Sequence, residues 1–236
     1  MLTPEIIFED ESLLVILKPA GWVVNDAKTV KTTFVVQNWL SKNFKYPIVD
    51  NYECRNGVVH RLDKETSGIL LVAKDKDAFE NLQSQFKNRS VQKTYLALLH
   101  GVPKKPKGTI DAPVGRLPWN RERFGVYSSG RQALSDYEVV EVYVKGNEKY
   151  SLTKFYPKTG RTHQIRVHAK YLGNPIVSDK FYAGRKTARK DSKFCQRLFL
   201  HASEIVFSHP RSGEKLTFSS DLPSDLQEAL RNLSSS

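Results

Sequence analysis

The chain has little cysteine, and this excludes the folds that cysteine pairs or clusters stabilise. Cys54 and Cys195 are the only two among 236 residues, and their spacing gives neither a disulfide framework nor a zinc ribbon. Long apolar runs are also missing, since no stretch approaches the roughly eighteen residues of a membrane span. Met1–Glu11 lacks the basic and apolar regions of a secretion signal. We therefore expect a cytoplasmic protein without membrane association.

Acidic residues are outnumbered by basic ones. Lysine and arginine total 37 against 25 aspartates and glutamates, which leaves a formal charge of +12. Such a balance is typical of proteins that bind polyanions, although some cytoplasmic proteins are simply basic. A hydrophobic content of 39% is sufficient for a folded core. We predict one α+β domain over residues 1–236, with its core between about residue 5 and about residue 232.

Apolar periodicity predicts the local structure. We expect strands within Glu5–Val24 (two), Gly68–Ala73, Val91–Leu99, Asp136–Val144 and Tyr150–Tyr156. We expect helices within Thr33–Phe44, after a cap at Asp75 or Asp77, after a cap at Thr162, and after a capping box of Ser224 and Gln227. The segments Pro103–Gly108 and Leu117–Gly130, rich in proline, glycine and basic residues, are predicted to be loops.

The segment Val58–Gly68 places one carboxylate, Asp63, between Arg61 and Lys64, in a loop that enters the buried strand Gly68–Ala73. Most aspartates before Thr-Ser-Gly only cap a turn. Two flanking cations, however, favour an ionised carboxylate, the form that a nucleophile or a base must have at neutral pH. Asp63 is therefore the candidate reactive group.

A second polar segment, Thr159–His168, contains Arg161 and Arg166 with few apolar residues between them, which core packing does not explain. A metal site is not expected here. His163 and His168 are five residues apart and would point to different faces of a helix, and His60 is distant in sequence. We predict no metal and no cofactor.

Three further groups of motifs occur along the chain: Lys93–Ala97, Gln132–Tyr137, and Leu200–Ala202 followed by Phe207–Pro210. With the first two segments they resemble the RNA pseudouridine synthases of the RluA type, over nearly the whole chain, in the branch without an attached S4 RNA-binding domain. The resemblance implies a bent, mostly antiparallel mixed sheet flanked by helices. It also implies conversion of uridine to pseudouridine in structured ribosomal or transfer RNA, by a monomer without a cofactor.

The resemblance assigns roles to individual residues. Asp63 matches the essential aspartate, and Arg166 matches the arginine that pairs with it, where a surface arginine was the alternative. Tyr95 matches the aromatic that stacks on the flipped uracil and exchanges a proton at C5, where a core aromatic was the alternative. Arg61 matches the residue that fills the gap left by the flipped base. Ile165 matches an apolar position against the base, with core packing as its other role.

The remaining predicted RNA contacts are polar or charged. They are Lys18 (with a solvated turn lysine as the alternative), His60, Lys93, Arg161, Thr162, His163 and Gln164. Basic clusters at Lys104–Lys107 and Arg185–Lys193 are either solvated loops or phosphate contacts, and we predict a flexible phosphate-binding arm at the second.

Two other functions agree less well with these residues. An RNA-binding protein without turnover would not need Asp63, Tyr95 and Arg166 together. Only the sequence Asp75-Lys76-Asp77 suggests a magnesium-dependent phosphatase. No Thr or Val follows at the second position after Asp77, and the downstream cluster of carboxylates that binds magnesium in that class is missing. A helix cap is the simpler interpretation of those two aspartates.

Overall fold

The computed structural model describes residues 2–26, 34–118 and 120–235, without the side chains of residues 121 and 122. Helices and strands are mixed, which confirms the predicted α+β class. In chain order the described elements are β1 (Glu5–Glu9), β2 (Leu13–Lys18), α1 (Val36–Asn43), a short 3-10 helix (Arg55–Gly57), β3 (Ser67–Ala73), α2 (Lys76–Lys87), β4 (Gln92–His100), β5 (Lys107–Asp111), β6 (Val114–Leu117), β7 (Asn120–Val126), β8 (Leu134–Lys145), β9 (Glu148–Pro157), α3 (Gln164–Tyr171), α4 (Arg185–Asp191), β10 (Leu200–Ser208), β11 (Lys215–Ser219), α5 (Ser224–Arg231) and β12 (Ser234–Ser235).

The chain forms two compact units. The first comprises Met1–Gln92 and Ala202–Ser220, and the second comprises Lys93–His201 and Asp221–Ser236. Both are discontinuous in sequence, because the chain leaves each unit and returns to it. The prediction of one domain over the whole chain stays a prediction.

The first unit is built on the antiparallel strands β1, β2 and β3. β3 is buried along its whole length, as its continuous apolar sequence predicted. The side chains of Phe79 and Leu82 on α2 are also buried. Asp75 caps this helix, as expected, by accepting a hydrogen bond from the Ala78 amide at 2.9 Å. Gly68 has φ +124°, and a Cβ there would lie 2.2 Å from the Ala202 carbonyl oxygen, so only glycine fits this approach of β10 to β3.

The second unit contains the strand order β4-β9-β8-β12, with β5 on β8 and a separate β6–β7 hairpin. Its core includes the fully buried rings of Tyr150, Phe155 and Phe199. The helix α5 contributes Leu226 and Ala229 to the same core. Among the described residues no helix is long and apolar enough to cross a membrane.

The structure corrects several local predictions. The expected loop Leu117–Gly130 contains β7, because main-chain pairing with β6 holds this polar sequence extended. The loop expected at Pro103–Gly108 ends where β5 begins, at Lys107. The basic segment Arg185–Lys193 is not a flexible loop: most of it forms α4.

Helix starts were predicted less well than helix positions. Thr162 is not the cap of α3; His163 occupies that place with φ 57°, and the helix begins at Gln164. Ser224 is the first residue of α5, after Pro223, and no side-chain capping bond forms. The helix predicted over Thr33–Phe44 is confirmed from Val36 to Asn43, and Thr33 lies outside the described residues.

Candidate active site

Asp63 lies in the short loop that leads into β3. Its backbone carbonyl accepts a hydrogen bond from the Thr66 amide at 3.1 Å, which closes a tight turn. Leu62 and Thr66 are 4% and 2% exposed, whereas Asp63 is half-buried. Buried anchors on both sides therefore fix the backbone of Asp63, while the residue itself stays partly accessible to a ligand.

The two cations beside Asp63 are exposed. Arg61 and Lys64 both lie on the surface of the loop. The exposed guanidinium of Arg61 is available to a nucleic acid. Its role in filling the gap left by a flipped base stays a prediction.

Lys18 is buried, contrary to the expectation of a surface residue. It is 1% exposed, and its ammonium donates to the carbonyl oxygens of Pro19, Trp22 and Lys64 at 2.9, 3.0 and 3.3 Å. A solvated turn lysine is therefore wrong, and an ammonium committed in this way offers little to a phosphate. Lys18 instead ties the turn after β2 to the loop that carries Asp63.

His60 fixes the other end of this loop. The Leu71 amide of β3 donates to its Nε2 at 3.0 Å, so that nitrogen carries no proton. The imidazole also stacks on Phe86 of α2, with the ring centroids 4.7 Å apart. His60 is half-buried, and its predicted RNA contact stays a prediction beside this supporting role.

In the second unit, Gln164 organises the start of α3. Its Oε1 accepts hydrogen bonds from the Thr159 hydroxyl at 2.7 Å and the Arg161 amide at 3.0 Å. Its Nε2 donates to the Leu134 carbonyl at 3.0 Å and the Ser135 hydroxyl at 2.9 Å. All four positions of the amide are thus used inside the protein. Gln164 therefore holds this segment together, and its expected RNA contact stays a prediction.

His168 continues that network in the interior. Its Nε2 lies 3.0 Å from the Ala112 carbonyl, which can only accept, so this nitrogen carries the proton. Its Nδ1, 3.0 Å from the Ser135 hydroxyl, then acts as the acceptor. Burial lowers the pKa of His168 and keeps the ring neutral. This histidine therefore supports the fold.

Arg166 and Asp179 form a buried ion pair. Nε of Arg166 lies 2.7 Å from Oδ2 of Asp179, and Nη2 lies 2.8 Å from Oδ1. Asp179 is fully buried and Arg166 is 5% exposed. The guanidinium carbon also lies 5.0 Å from the ring centroid of Tyr182. Two parallel hydrogen bonds and a ring contact set the orientation of the guanidinium.

Asp179 was not predicted from the sequence. It accepts two further hydrogen bonds, from the amides of Phe181 and Tyr182 at 3.0 and 3.1 Å. The available signal was an aspartate two residues after the apolar pair Ile176-Val177 and two residues before the aromatic pair Phe181-Tyr182. Asp179 positions Arg166, whose predicted pairing with Asp63 stays a prediction because the two residues belong to different units.

Tyr95 lies on β4 opposite Phe155 of β9 and is half-buried. Ile165 is 6% exposed and belongs to the core of the second unit, which confirms its packing role. Burial lowers the pKa of Lys93 to about 8, so its ammonium loses its proton as the pH rises through that value. The contacts of these three residues with a base or with RNA stay predictions.

The three residues before Gln164 are accessible to a ligand. Thr162 is exposed, while Arg161 and His163 are half-buried. Nε of Arg161 donates to the Gln132 carbonyl at 3.1 Å, and Nδ1 of His163 lies 2.9 Å from the Tyr182 phenol.

In the part of the chain that the structure describes, no group of three His, Cys, Asp or Glu side chains could hold a metal ion.

Comparison with known proteins gives consistent matches. Residues 12–171 match the family described as RNA pseudouridylate synthase. An uncharacterized RNA pseudouridine synthase of Bacillus subtilis is 38% identical over 229 residues, covering 97% of this chain and 72% of that protein. Ribosomal large subunit pseudouridine synthase D of Pseudomonas aeruginosa is 38% identical, with 94% and 69% covered.

The structure of human RNA pseudouridylate synthase domain containing 1 is similar, with a TM-score of 0.76 at 28% identity, over 99% of this chain and 89% of that one. Some curated relatives are longer, and the chain spans 65% and 63% of two of them. Fold and sequence together define an α+β enzyme that modifies RNA. The chain belongs to the RNA pseudouridylate synthase family and is an isomerase of the RluA type.

Proposed function

We propose that this protein converts uridine to pseudouridine in structured RNA, with Asp63 as the reactive carboxylate and Tyr95 and Arg166 as its partners in the reaction. The observation that carries the proposal is the placement of Asp63, a partly accessible carboxylate on a loop fixed by buried neighbours. The family match over residues 12–171 includes all three residues. Sequence correspondence, rather than a distance, supports assigning them to one reaction.

The proposed reaction breaks the C1′–N1 bond of uridine, rotates the uracil and joins C5 to C1′. Three routes are compatible with the residues: the carboxylate attacks C1′, attacks the base, or removes a proton from the sugar. Each requires Asp63 to be ionised. No metal, cofactor or redox step enters any of them, and the product has the same atoms as the substrate.

The proposed substrate is folded RNA in which the target uridine is flipped out of its stack. Flipping costs a few kcal/mol, which phosphate contacts and stacking on Tyr95 would offset. Two relatives are named for the large ribosomal subunit, so we propose ribosomal RNA as the first candidate and transfer RNA as the second. We also propose that the enzyme is a cytoplasmic monomer.

Site-resolved pseudouridine mapping of total RNA, with and without the gene, tests this proposal. We expect at least one pseudouridine to disappear on deletion and to be restored by the purified protein in vitro, with excess EDTA present. If no site changes on deletion and none forms in vitro, the proposal is wrong. A pseudouridine-forming activity that EDTA removes and magnesium restores would contradict the cofactor-free mechanism.

Tyr95→Phe is expected to slow catalysis much more than it weakens binding. The phenylalanine ring keeps the apolar face, but it has no phenolic proton to exchange at C5. A lost proton-transfer group costs roughly a hundredfold to ten-thousandfold in rate. Single-turnover rates and RNA dissociation constants check this, with Tyr137→Phe as the control because the phenol of Tyr137 donates its hydrogen bond, among the described residues, to the Lys105 carbonyl. A weaker affinity with unchanged turnover would make Tyr95 a docking residue.

The helix α4 has a basic outer face. Ala188 and Asp191 are buried, and Asp191 accepts hydrogen bonds from the Ser178 amide at 2.8 Å and from His100 at 3.0 Å, which anchors the helix. The exposed cations are Arg185, Lys186, Arg189, Lys190 and the following Lys193. A fixed helix presents them at defined spacing, and we propose that all of them except Lys190, which is paired with Glu148, bind RNA phosphates.

Replacing Arg185, Lys186, Arg189 and Lys193 with Gln is expected to weaken RNA binding and to flatten its salt dependence. Each lost phosphate contact should reduce the slope of log affinity against log salt by about 0.7 to 0.9. Lys190→Gln is the control, because Lys190 is already paired with Glu148 at 2.6 Å. An unchanged slope in the fourfold variant would mean that α4 is only a solvated face.

A further inference from the structure

Phe181 is a large aromatic side chain that the fold leaves accessible. It is 39% exposed, whereas the neighbouring Tyr182 is 6% exposed. Both backbone amides donate to Oδ1 of the buried Asp179. The ring of Phe181 therefore stands on a backbone that hydrogen bonds hold in place, so a ligand would not have to order it first.

Cations border this ring. The guanidinium carbons of Arg166 and Arg123 lie 5.4 and 5.9 Å from its centroid. The imidazole of His163 lies 6.1 Å away, centroid to centroid. A second pair continues the pattern on the β6–β7 hairpin, where the ring of Phe124 lies 5.5 Å from His163 and 5.4 Å from the guanidinium carbon of Arg116. Rings and cations thus alternate across this surface of the second unit.

His163, at the centre of the array, has an unusual backbone. Its φ of 57° and ψ of 19° lie in the left-handed region, which costs a residue other than glycine free energy and persists only where the surroundings hold it. The hydrogen bond to the Tyr182 phenol, 2.9 Å long, is one such restraint. It fixes the imidazole between Phe124 and Phe181.

We propose that Phe181 is a stacking platform for an unpaired base of the RNA. This base is a different one from the flipped uracil, which is assigned to Tyr95 and Ile165. The inference rests on the proposed function, because that function makes RNA the partner of this surface. Bases stack on aromatic rings, and the neighbouring Arg123 is placed to meet a phosphate, whereas the buried Arg166 stays paired with Asp179. A base inside a duplex is already stacked on both faces, so the occupant is a nucleotide of a loop, a bulge or a single-stranded end.

An exposed aromatic ring alone would not support this. Tyr171, in the same unit, is 61% exposed, and within the described residues no ring or cation contact involves it. Single exposed apolar side chains of that kind are ordinary. Phe181 differs in having two guanidinium groups and an imidazole around its ring, a setting that suits a base better than an aliphatic protein anchor.

The test compares Phe181→Leu, Phe181→Trp and the control Tyr171→Leu. Leucine keeps the apolar bulk but has no π-face, and tryptophan keeps the face. The probes are a single-stranded oligoadenylate of about ten nucleotides and an RNA duplex of equal length. We expect Phe181→Leu to raise the dissociation constant of the oligoadenylate roughly fivefold to a hundredfold, with binding of the duplex and the salt slope unchanged. Phe181→Trp and Tyr171→Leu should bind both probes like the wild type.

Four results would overturn the inference: unchanged oligoadenylate binding by Phe181→Leu, an equal loss on the duplex, an equal loss in Tyr171→Leu, or a loss in Phe181→Trp. Thermal melting of each variant shows that it is folded. The proposed function is judged separately. A wild type that forms no pseudouridine but shows the Phe181-dependent binding would refute the activity and leave the platform standing.

Discussion

Asp63→Asn is expected to remove pseudouridine formation while leaving the fold and RNA binding nearly intact. The amide keeps the shape of the side chain but has neither its charge nor its nucleophilicity. The turn around residue 63 uses the backbone carbonyl, which the substitution does not alter. Loss of a single essential carboxylate costs on the order of 10⁴-fold in rate. Single-turnover pseudouridine mapping and an RNA-binding titration measure the two effects.

Asp77→Asn is the matched control for that experiment. Asp77 is an exposed carboxylate in the first turn of α2, in the same unit as Asp63, so its replacement removes the same charge from the protein. We expect normal turnover from it. Turnover of Asp63→Asn within about tenfold of the wild type, a loss far smaller than essential residues give, would contradict the assignment of Asp63.

Elements whose signal is local were predicted well from the sequence. β3 is a short apolar run between turn residues, and burial on both faces is what such a run requires. The cap at Asp75 follows from one side chain and one nearby amide. The loop of Asp63 was found for the same reason, because its charges and its flanking apolar runs are adjacent in the sequence.

Features that depend on distant partners were missed. Lys18 stands in a sequence that is typical of an exposed turn. Three carbonyl oxygens nevertheless surround its ammonium, and one of them belongs to a residue 46 positions further along the chain. Gln164 resembled an RNA contact, and its burial depends on Leu134 and Ser135. The polar strand β7 exists because β6 pairs with it. Lys64 is 46 residues from Lys18, and Leu134 and Ser135 are about 30 residues from Gln164, so these partners cannot be read from the neighbouring sequence.

Arg166→Lys is expected to be severe although it conserves the charge. An ammonium cannot make the two parallel hydrogen bonds that Arg166 gives to Asp179, nor lie flat near the ring of Tyr182. If Arg166 acts on the reacting carboxylate as proposed, its loss of orientation should lower the turnover by roughly a hundredfold to a thousandfold, as removal of a positioned donor does. RNA affinity should change little, because the residue is 5% exposed.

Asp179→Asn separates positioning from general loss of stability. Breaking a buried ion pair destabilises a protein by about 3 to 5 kcal/mol, so thermal melting must accompany each rate, measured well below the melting temperature. If Asp179 acts through Arg166, Asp179→Asn should lower turnover as Arg166→Lys does, and the double variant should be about as slow as either single one, because the two residues work as a unit. Additive losses in the double variant would show that Arg166 does its work without Asp179, and normal turnover in a folded Arg166→Lys protein would remove Arg166 from the mechanism.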